Sequence, residues 1–318
     1  MPDILISIEN LNISFYRDKA PLKVISDLSF FIKSSEVFGL VGESGCGKSL
    51  TALSILRLIP ENAFSEGKII FKNKDLLSIT DEEIRMVRGK DISMIFQEPM
   101  TSLNPVMRIG DQIAEVLINH LKVSKKEAKN IAVDLLRAVK MPYPENRIKD
   151  YPHLLSGGMR QRVMIAMAIA CNPSLLIADE PTTALDVTIQ AQILELLQSL
   201  RRQLNMAILL ITHDLSIVSE QADRVAIMYA GRIMELAKVD SIFQNPLHPY
   251  TIGLLESLPV AKGVPLKPIK GFVPEPGKFP PGCKYYDRCH KATNECNISE
   301  PKLIEVTTGH FVRCHLID

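Results

Sequence analysis

The fold of this protein is decided by residues 37–49, which read Val37-Phe38-Gly39-Leu40-Val41-Gly42-Glu43-Ser44-Gly45-Cys46-Gly47-Lys48-Ser49. The first five residues are nearly all apolar and predict a buried strand. The next eight match the pattern G-x-x-x-x-G-K-[ST], and a helix is predicted after them at Lys48–Leu58. The glycines let successive backbone N–H groups point inward around a phosphate, and the helix N-terminus adds its positive dipole end. The sequence therefore predicts a phosphate-binding loop (P-loop) between a strand and a helix.

A second motif predicts the catalytic acids. The apolar strand predicted at Leu175–Ala178 ends in Asp179 and Glu180. Acids after a strand often only cap the next helix, but together with a P-loop they indicate a Walker B strand. We then expect Lys48 to reach the β- and γ-phosphates of a nucleotide and Ser49 to ligate Mg²⁺. Asp179 would hold Mg²⁺ through water, and Glu180 would orient or deprotonate the attacking water.

The pattern around these motifs is one of strands alternating with helices, which predicts a mostly parallel sheet covered on both faces. A helical insertion is expected at about residues 102–169, and frequent prolines after Asp240 predict an irregular extension. The predicted strands are Ile4–Ile8, Ile13–Phe15, Leu28–Ile32, Val37–Val41, Lys68–Phe71, Ile92–Phe96, Leu175–Ala178, Ile208–Ile211 and Val225–Tyr229. The further predicted helices are Gln112–Ile118, Lys126–Lys140, Met159–Ile169 and Gln190–Leu204.

Four further motifs resemble those of ABC (ATP-binding cassette) ATPases. Leu155–Gln161 (LSGGMRQ) resembles the ABC signature, with Ser156, Gly157 and Gly158 forming an anion cradle before a helix. Gln97 resembles the Q-loop glutamine, which contacts Mg²⁺ or water. Ala184-Leu185-Asp186 resembles the D-loop, and His213 resembles the switch histidine that senses the γ-phosphate. A cradle without a lysine or a metal acid beside it is expected to close over ATP held by another subunit.

This resemblance implies a set of site residues. Phe15, or alternatively Tyr16, would stack on adenine. Catalytic roles fall to Glu180, His213 and Gln97, and the expected Mg²⁺ ligands are Ser49, Gln97 and Asp179. ATP would be held by Gly42, Glu43, Ser44, Gly45, Cys46, Gly47, Lys48, Ser49, Leu50, Gln97 and Asp179, and across the dimer by Ser156, Gly157 and Gly158.

The fold class implied by the resemblance is α/β, with a P-loop NTPase (ABC ATPase) core. It would include an antiparallel β subdomain, a helical subdomain and an irregular C-terminal metal-binding extension. Residues 1–240 would form the ABC ATPase domain, with the helical subdomain at about 102–169. Residues 241–318 would form the extension with its cysteines.

The C-terminal region narrows the resemblance. Asn245–Thr251 (NPLHPYT), the proline-rich segment and the cysteines resemble dipeptide and oligopeptide importer subunits, most closely the D-type subunit of the dipeptide system. Such a motor pairs with a second cassette, expected to be a homologous F-type subunit, and with two transmembrane permeases. It works indirectly with an extracytoplasmic peptide-binding protein. Import of nickel or glycosides, or a soluble ABC ATPase acting on nucleic acid or ribosomes, remain the alternatives.

Composition agrees with a peripheral role at the cytoplasmic face of a membrane. The net charge of +1 gives no general case for binding nucleic acid, and 46% hydrophobic residues allow a sizeable core. The N-terminus has no basic region typical of a signal peptide, and the most apolar helical stretch, Val163–Cys171, is too short to cross a bilayer. Any membrane span is therefore expected to come from a partner.

Four of the six cysteines, Cys283, Cys289, Cys296 and Cys314, lie close together in the extension. In a cytosolic chain such a group indicates metal rather than disulfides. Zinc and an iron–sulfur cluster both accept four thiolates, but structural zinc usually uses cysteines two to four residues apart. The wider spacing, and comparable cysteines in some dipeptide-importer subunits, favour a [4Fe–4S] cluster, with Zn²⁺ as the alternative. His290, His310 and His315 are close enough in sequence to be substitute ligands.

Overall fold

The computed structural model describes residues 3–16, 20–97, 102–183, 185–258 and 267–317. The strands of this part of the chain are β1 Ile4–Phe15, β2 Leu22–Lys33, β3 Val37–Val41, β4 Ala63–Phe71, β5 Lys74–Asp75, β6 Ile92–Ile95, β7 Leu175–Asp179, β8 Ala207–Thr212, β9 Arg224–Tyr229, β10 Arg232–Lys238, β11 Ile304–Thr307 and β12 His310–Val312. Its α-helices are α1 Lys48–Ile55, α2 Asp81–Val87, α3 Ile109–Leu121, α4 Lys125–Ala138, α5 Pro144–Arg147, α6 Gly157–Ile169, α7 Val187–Leu204, α8 Leu215–Gln221, α9 Val239–Gln244, α10 Pro249–Glu256 and α11 Asn294–Ile298.

The described chain divides into two compact units. One consists of residues 79–209, which include the helical insertion expected at about 102–169. The other consists of residues 4–78 and 210–317, so that the P-loop and the C-terminal extension belong to the same unit. The division into domains of residues 1–240 and 241–318 stays a prediction.

The P-loop unit opens with an antiparallel sheet in the order β2-β1-β4-β5. Two separate strands were expected within Ile4–Phe15, but the structure has one, because a bulge interrupts the alternation of its apolar residues. Asn10 has a φ of 49°, and the pairing of β1 with β4 shifts between Glu9 and Asn12. Gly67 lies opposite the bulge, where a Cβ would be 2.5 Å from the carbonyl oxygen of Asn10. The bulge therefore needs glycine on the facing strand.

The same unit holds five further strands in the order β11-β12-β10-β9-β3. Strands β3 and β9 are parallel, and all of their residues are buried, as expected for nearly continuous apolar strands in a parallel pair. The proline-rich extension was predicted to be irregular. It contains α9, α10 and α11, and its last strand returns to the sheet, where Val312 pairs with Glu235 of β10. Sequence periodicity missed this strand because its partner lies far away along the chain.

The extension shares its core with the strands it covers. The ring of Tyr229 lies 4.8 Å from that of Tyr250 and 5.2 Å from that of Tyr285, both in edge-on arrangements. Cys283 and Cys296 are buried in the same cluster. Edge-to-face aromatic contacts add to the free energy gained from burial. The extension is therefore held by apolar packing against β9 and β10.

The unit of residues 79–209 contains the parallel pair β6 and β7 and a group of packed helices. Capping side chains set where its helices begin. Thr80 and Glu83 form a capping box at α2, and Ser124 caps α4. Asp186 accepts a hydrogen bond from the backbone N–H of Ile189 at 3.0 Å. Because of this cap, α7 begins at Val187, before the predicted start.

A buried glutamate ties the Asn245–Thr251 segment to the sheet. Glu235 is fully buried and accepts hydrogen bonds from the backbone N–H groups of Leu247 at 2.8 Å and His248 at 2.9 Å. It also lies 2.7 Å from Nε2 of His310. Burial lowers the pKa of His248 to about 3, so its imidazole is neutral, and Nδ1 accepts from the N–H of Tyr250 at the start of α10. The Asn245–Thr251 segment therefore starts helix α10, and the buried carboxylate of Glu235 holds it in place.

We predict that Glu235→Ala will lower the free energy of unfolding by about 3 to 5 kcal/mol, because three donors lose a fully buried acceptor. Urea unfolding at neutral pH measures this change. The matched control is Glu305→Ala on the exposed face of β11, where a change below about 1 kcal/mol is expected. Equal effects of the two substitutions would contradict the role given to Glu235.

Candidate functional site

The P-loop connects the end of β3 to the start of α1. Gly45 and Gly47 have φ angles of +80° and +104°, a region that favours glycine. A Cβ on Gly42 would lie 2.1 Å from the carbonyl oxygen of Met228, so no side chain fits there. The glycines are therefore required by backbone conformation at two positions and by close approach at the third.

Lys48 lies at the centre of this loop. Its Nζ donates to the carbonyl oxygens of Gly42 at 2.8 Å and Glu43 at 3.1 Å, and the side chain is buried. Cys46 is also buried, and burial raises the pKa of its thiol. Ser44 and Gly45 are exposed at the loop's tip, and Ser49 and Leu50 follow half-buried in α1. An ammonium surrounded by a loop of backbone groups is suited to bind a phosphate.

The two candidate aromatic residues for adenine differ in exposure. Phe15 is half-buried at the end of β1, where it pairs with Ala63. Tyr16 is 64% exposed, and its ring centroid lies 4.8 Å from that of Phe64. The choice between Phe15 and Tyr16 stays open.

The predicted catalytic acids follow β7 in the unit of residues 79–209. Asp179 is buried as the last residue of the strand, and Glu180 has a φ of 45°, which is unfavourable for a glutamate. Nε2 of Gln97 donates to Oε2 of Glu180 at 3.1 Å, and the hydroxyl of Thr183 donates to the same oxygen at 2.8 Å. The structure therefore brings Gln97 and Glu180 together, and it adds Thr183, which sequence reasoning missed.

The signature residues lie at the start of α6. Ser156 caps the helix by accepting from the N–H of Met159 at 3.4 Å, and Ser156 and Gly157 are exposed. A Cβ on Gly158 would lie 2.8 Å from Cγ2 of Ile189, and one on Gly157 would lie 3.4 Å from Cδ2 of Leu185. The signature thus packs against the residues that follow the D-loop alanine, Ala184, which itself lies outside the described residues.

The predicted switch histidine, His213, is exposed directly after β8. The next residue, Asp214, caps α8 by accepting from the N–H of Ser216 at 2.8 Å. His213 therefore sits in a short turn between a buried strand and a helix, as the motif requires. Its role stays a prediction.

The four extension cysteines are all free thiols. Burial, and to a lesser degree the thiols of Cys296, Cys314 and Cys289, raise the pKa of Cys283 to about 11. Within the described ranges, however, no three His, Cys, Asp or Glu residues are arranged to hold a metal ion.

The candidate substitute ligands are placed differently. His310 contacts Glu235, and His315 contacts the carbonyl oxygen of Ser299 at 2.9 Å, while His290 is exposed.

Sequence reasoning did not predict that Tyr250 and Arg288 contact the P-loop, where both bind Glu43. The backbone N–H of Glu43 donates to the hydroxyl of Tyr250 at 3.2 Å, and its carboxylate accepts from Arg288 at 2.8 Å. In the sequence, Glu43 is a carboxylate at a variable position of the loop and Arg288 is an arginine beside a cysteine. Neither feature indicates that these two residues, far apart along the chain, form an ion pair.

Residues 25–183 match the family described as "ABC transporter", and residues 234–296 match "Oligopeptide/dipeptide transporter, C-terminal region". The chain is 53% identical to the oligopeptide transport ATP-binding protein AppD of Bacillus subtilis, over 99% of this chain and 97% of that protein. This chain belongs to the ATP-binding subunits of the oligopeptide/dipeptide ABC importer family.

Other relatives support the same family assignment. The dipeptide transport ATP-binding protein DppD of Bacillus subtilis is 48% identical over 99% of this chain and 95% of its own length. The oligopeptide transport ATP-binding protein OppD of Escherichia coli is 47% identical over 98% of this chain and 93% of its own length. Among solved structures, the cassette MJ0796 bound to ADP and phosphate has a TM-score of 0.66 at 25% identity, covering 74% of this chain and 98% of that one.

These matches confirm the predicted ABC ATPase fold and the predicted family. In the part of the subunit that the structure describes, no helix is long and apolar enough to cross a membrane. The assignments of individual site residues stay predictions.

We predict that Glu180→Gln will keep ATP binding within about threefold of wild type but lower turnover at least about 100-fold, because the water loses its orienting carboxylate. Calorimetric titration with ATP and phosphate release measure the two effects. Glu195→Gln, on the exposed face of α7, is the matched control and should turn over normally. Wild-type turnover in Glu180→Gln would remove the catalytic role assigned to Glu180.

Proposed function

We propose that this subunit is the ATP-hydrolysing motor of an importer for oligopeptides or dipeptides. The observation that carries the proposal is the P-loop, with Lys48 at its centre, in a chain whose C-terminal region matches that of peptide transporters. The relatives named for oligopeptide and dipeptide transport favour peptides over nickel, glycosides or nucleic acid as the system's target.

In the proposed mechanism, separate groups of residues bind ATP, hold Mg²⁺ and orient the attacking water. The P-loop N–H groups and Lys48 bind the phosphates of ATP, and Phe15 or Tyr16 stacks on adenine. Bound Mg²⁺ would neutralise phosphate charge, and Ser49, Asp179 and Gln97 have the oxygen donors that it prefers. Glu180, held by Gln97 and Thr183, orients the attacking water, and His213 senses the γ-phosphate.

The signature supports a shared site between two cassettes. Ser156 and Gly157 are exposed at the helix start and Gly158 is half-buried beside them, and backbone N–H groups at a helix start are suited to bind an anion. We infer that they close over ATP held by a second cassette, a homologous F-type subunit. Closure would drive two transmembrane permeases fed by an extracytoplasmic peptide-binding protein. The subunit would then be peripheral at the cytoplasmic face of the membrane.

We expect Lys48→Ala to weaken ATP binding at least about tenfold, because the loop loses its charged phosphate ligand. Ser156→Arg should leave ATP binding by the isolated chain unchanged and impair hydrolysis, because the defect lies in the partner's site. ATP affinity and phosphate release, each measured at several protein concentrations, test this expectation.

Lys68→Ala, at an exposed position of β4, is the matched control for Lys48→Ala and should change neither quantity. Full turnover by a verified monomer, independent of protein concentration, would contradict the shared site. Co-purification of the wild-type chain with two hydrophobic permeases would support the importer, whereas stimulation of its ATPase activity by DNA or RNA would oppose it.

For the C-terminal extension we propose a [4Fe–4S] cluster, with Zn²⁺ as the alternative metal. Its ligands would be Cys283, Cys289, Cys296 and Cys314. The kind of donor fits, since all four thiols are free, and Cys283 and Cys296 are buried in one hydrophobic cluster against which Cys289 packs. Their arrangement does not form a ready ligand group among the described residues. A cluster held there would be structural or regulatory, because ATP hydrolysis needs no redox step.

Anaerobic purification should give brown protein with equal amounts of iron and sulfide. Cys289→Ser should bleach it, because one of four ligands is lost, while leaving ATP binding intact. Cys171→Ser, in the other unit, is the matched control and should stay brown. Colourless anaerobic protein with one zinc per chain would overturn the cluster, and colourless protein without metal would overturn both forms of the site.

A further inference from the structure

The second residue of the P-loop is paired with the C-terminal extension. Glu43 occupies a position that the P-loop pattern leaves free, yet its Oε1 lies 2.8 Å from Nη1 of Arg288. The side chain of Arg288 is 6% exposed and that of Glu43 is 29% exposed. An ion pair this well shielded from solvent is screened less than a surface pair.

Arg288 is fixed by contacts on its other sides. Its Nε donates to the carbonyl oxygen of Lys270 at 2.9 Å, and Nη2 donates to that of Gly271 at 3.2 Å. The guanidinium also lies 5.6 Å from the ring centre of Tyr229 and 5.9 Å from that of Tyr285. A planar, many-donor group held this way presents its remaining N–H at a set position. The charge facing Glu43 is therefore pre-organised by the extension.

The ion pair between Glu43 and Arg288 affects phosphate binding because Glu43 lies in the P-loop. The loop it belongs to presents backbone N–H groups and Lys48 to a polyphosphate, and a carboxylate in that loop opposes an anionic ligand. Arg288 cancels this charge without occupying the loop. The hydroxyl of Tyr250 accepts from the N–H of Glu43, so that residue is held at both its backbone and its side chain.

We propose that Arg288 is a positioning residue for ATP binding, which neutralises and anchors Glu43 so that the P-loop accepts the triphosphate. The C-terminal extension is then part of the nucleotide site, acting through Glu43. This inference rests on the proposed function in one respect only, namely that the P-loop binds ATP.

The test measures the affinity of the full chain for Mg-ATP and its turnover at saturating ATP in four variants. Arg288→Gln keeps amide donors but removes the charge, and it should weaken ATP binding about tenfold with turnover within about threefold of wild type. Arg288→Lys restores the charge and should bind ATP within about threefold of wild type. Glu43→Gln should bind ATP at least as well as wild type, because no charge remains for Arg288 to cancel.

The double variant Glu43→Gln with Arg288→Gln decides the mechanism. If Arg288 acts through the charge of Glu43, the double variant recovers wild-type affinity, and the deficit of Arg288→Gln shrinks as salt is added. A merely structural arginine would leave the double variant as weak as Arg288→Gln. That result, or unchanged affinity in Arg288→Gln, would overturn the proposal.

Lys284→Ala is the matched control in the same segment. Its ammonium donates to the carbonyl oxygen of Pro280 at 2.9 Å and lies 3.7 Å from Glu300, away from the P-loop. It should leave ATP affinity unchanged, and an equal loss there would overturn the specific role of Arg288. Failure of the wild-type chain to bind ATP, or binding that is insensitive to Lys48→Ala, would instead contradict the proposed function.

Discussion

The close approach of three backbone segments is the constraint on which the nucleotide site depends. Gly42 contacts the carbonyl of Met228, and the N–H of Gly231 donates to the carbonyl oxygen of Cys46 at 3.0 Å. A Cβ on Gly231 would lie 1.9 Å from the carbonyl oxygen of Val24. The P-loop, the turn between β9 and β10 and the strand β2 therefore meet with no side chain between them. This contact fixes the loop's shape, and the extension packs on the same two strands, β9 and β10.

The extension is consequently an integral part of its unit rather than an appendage. It contributes Tyr250 and Tyr285 to the core around Tyr229, and β12 extends the sheet beside β10. The buried carboxylate of Glu235 holds the start of α10 and the end of the chain at the same point. Such a carboxylate is tolerated because every donor around it is directed at its oxygens.

Local patterns in the sequence were enough to predict the P-loop, the strand β7 and the signature helix, because each motif encodes its own backbone conformation. The positions of helix ends were less predictable, since they depend on caps such as Asp186. The bulge at Asn10 and the strand β12 were missed, because both are set by pairing with distant residues. The motif placed Glu180 after its strand, but its contact with Thr183 became visible only in three dimensions. The spacing of the four extension cysteines predicted a metal site, but the described residues form no ligand group, because the arrangement of the thiols depends on packing.

The buried thiol in the P-loop has a practical consequence for chemical labelling. Cys46 is 1% exposed, and burial raises its pKa, so little of the reactive thiolate forms near neutral pH. Cys171 is half-buried and lies outside the proposed cluster. In a protein whose cluster is intact, maleimide probes should therefore attach to Cys171 well before they reach the P-loop. A fluorophore on Cys171 would report on the movement of the unit of residues 79–209 in a working transporter without blocking the P-loop.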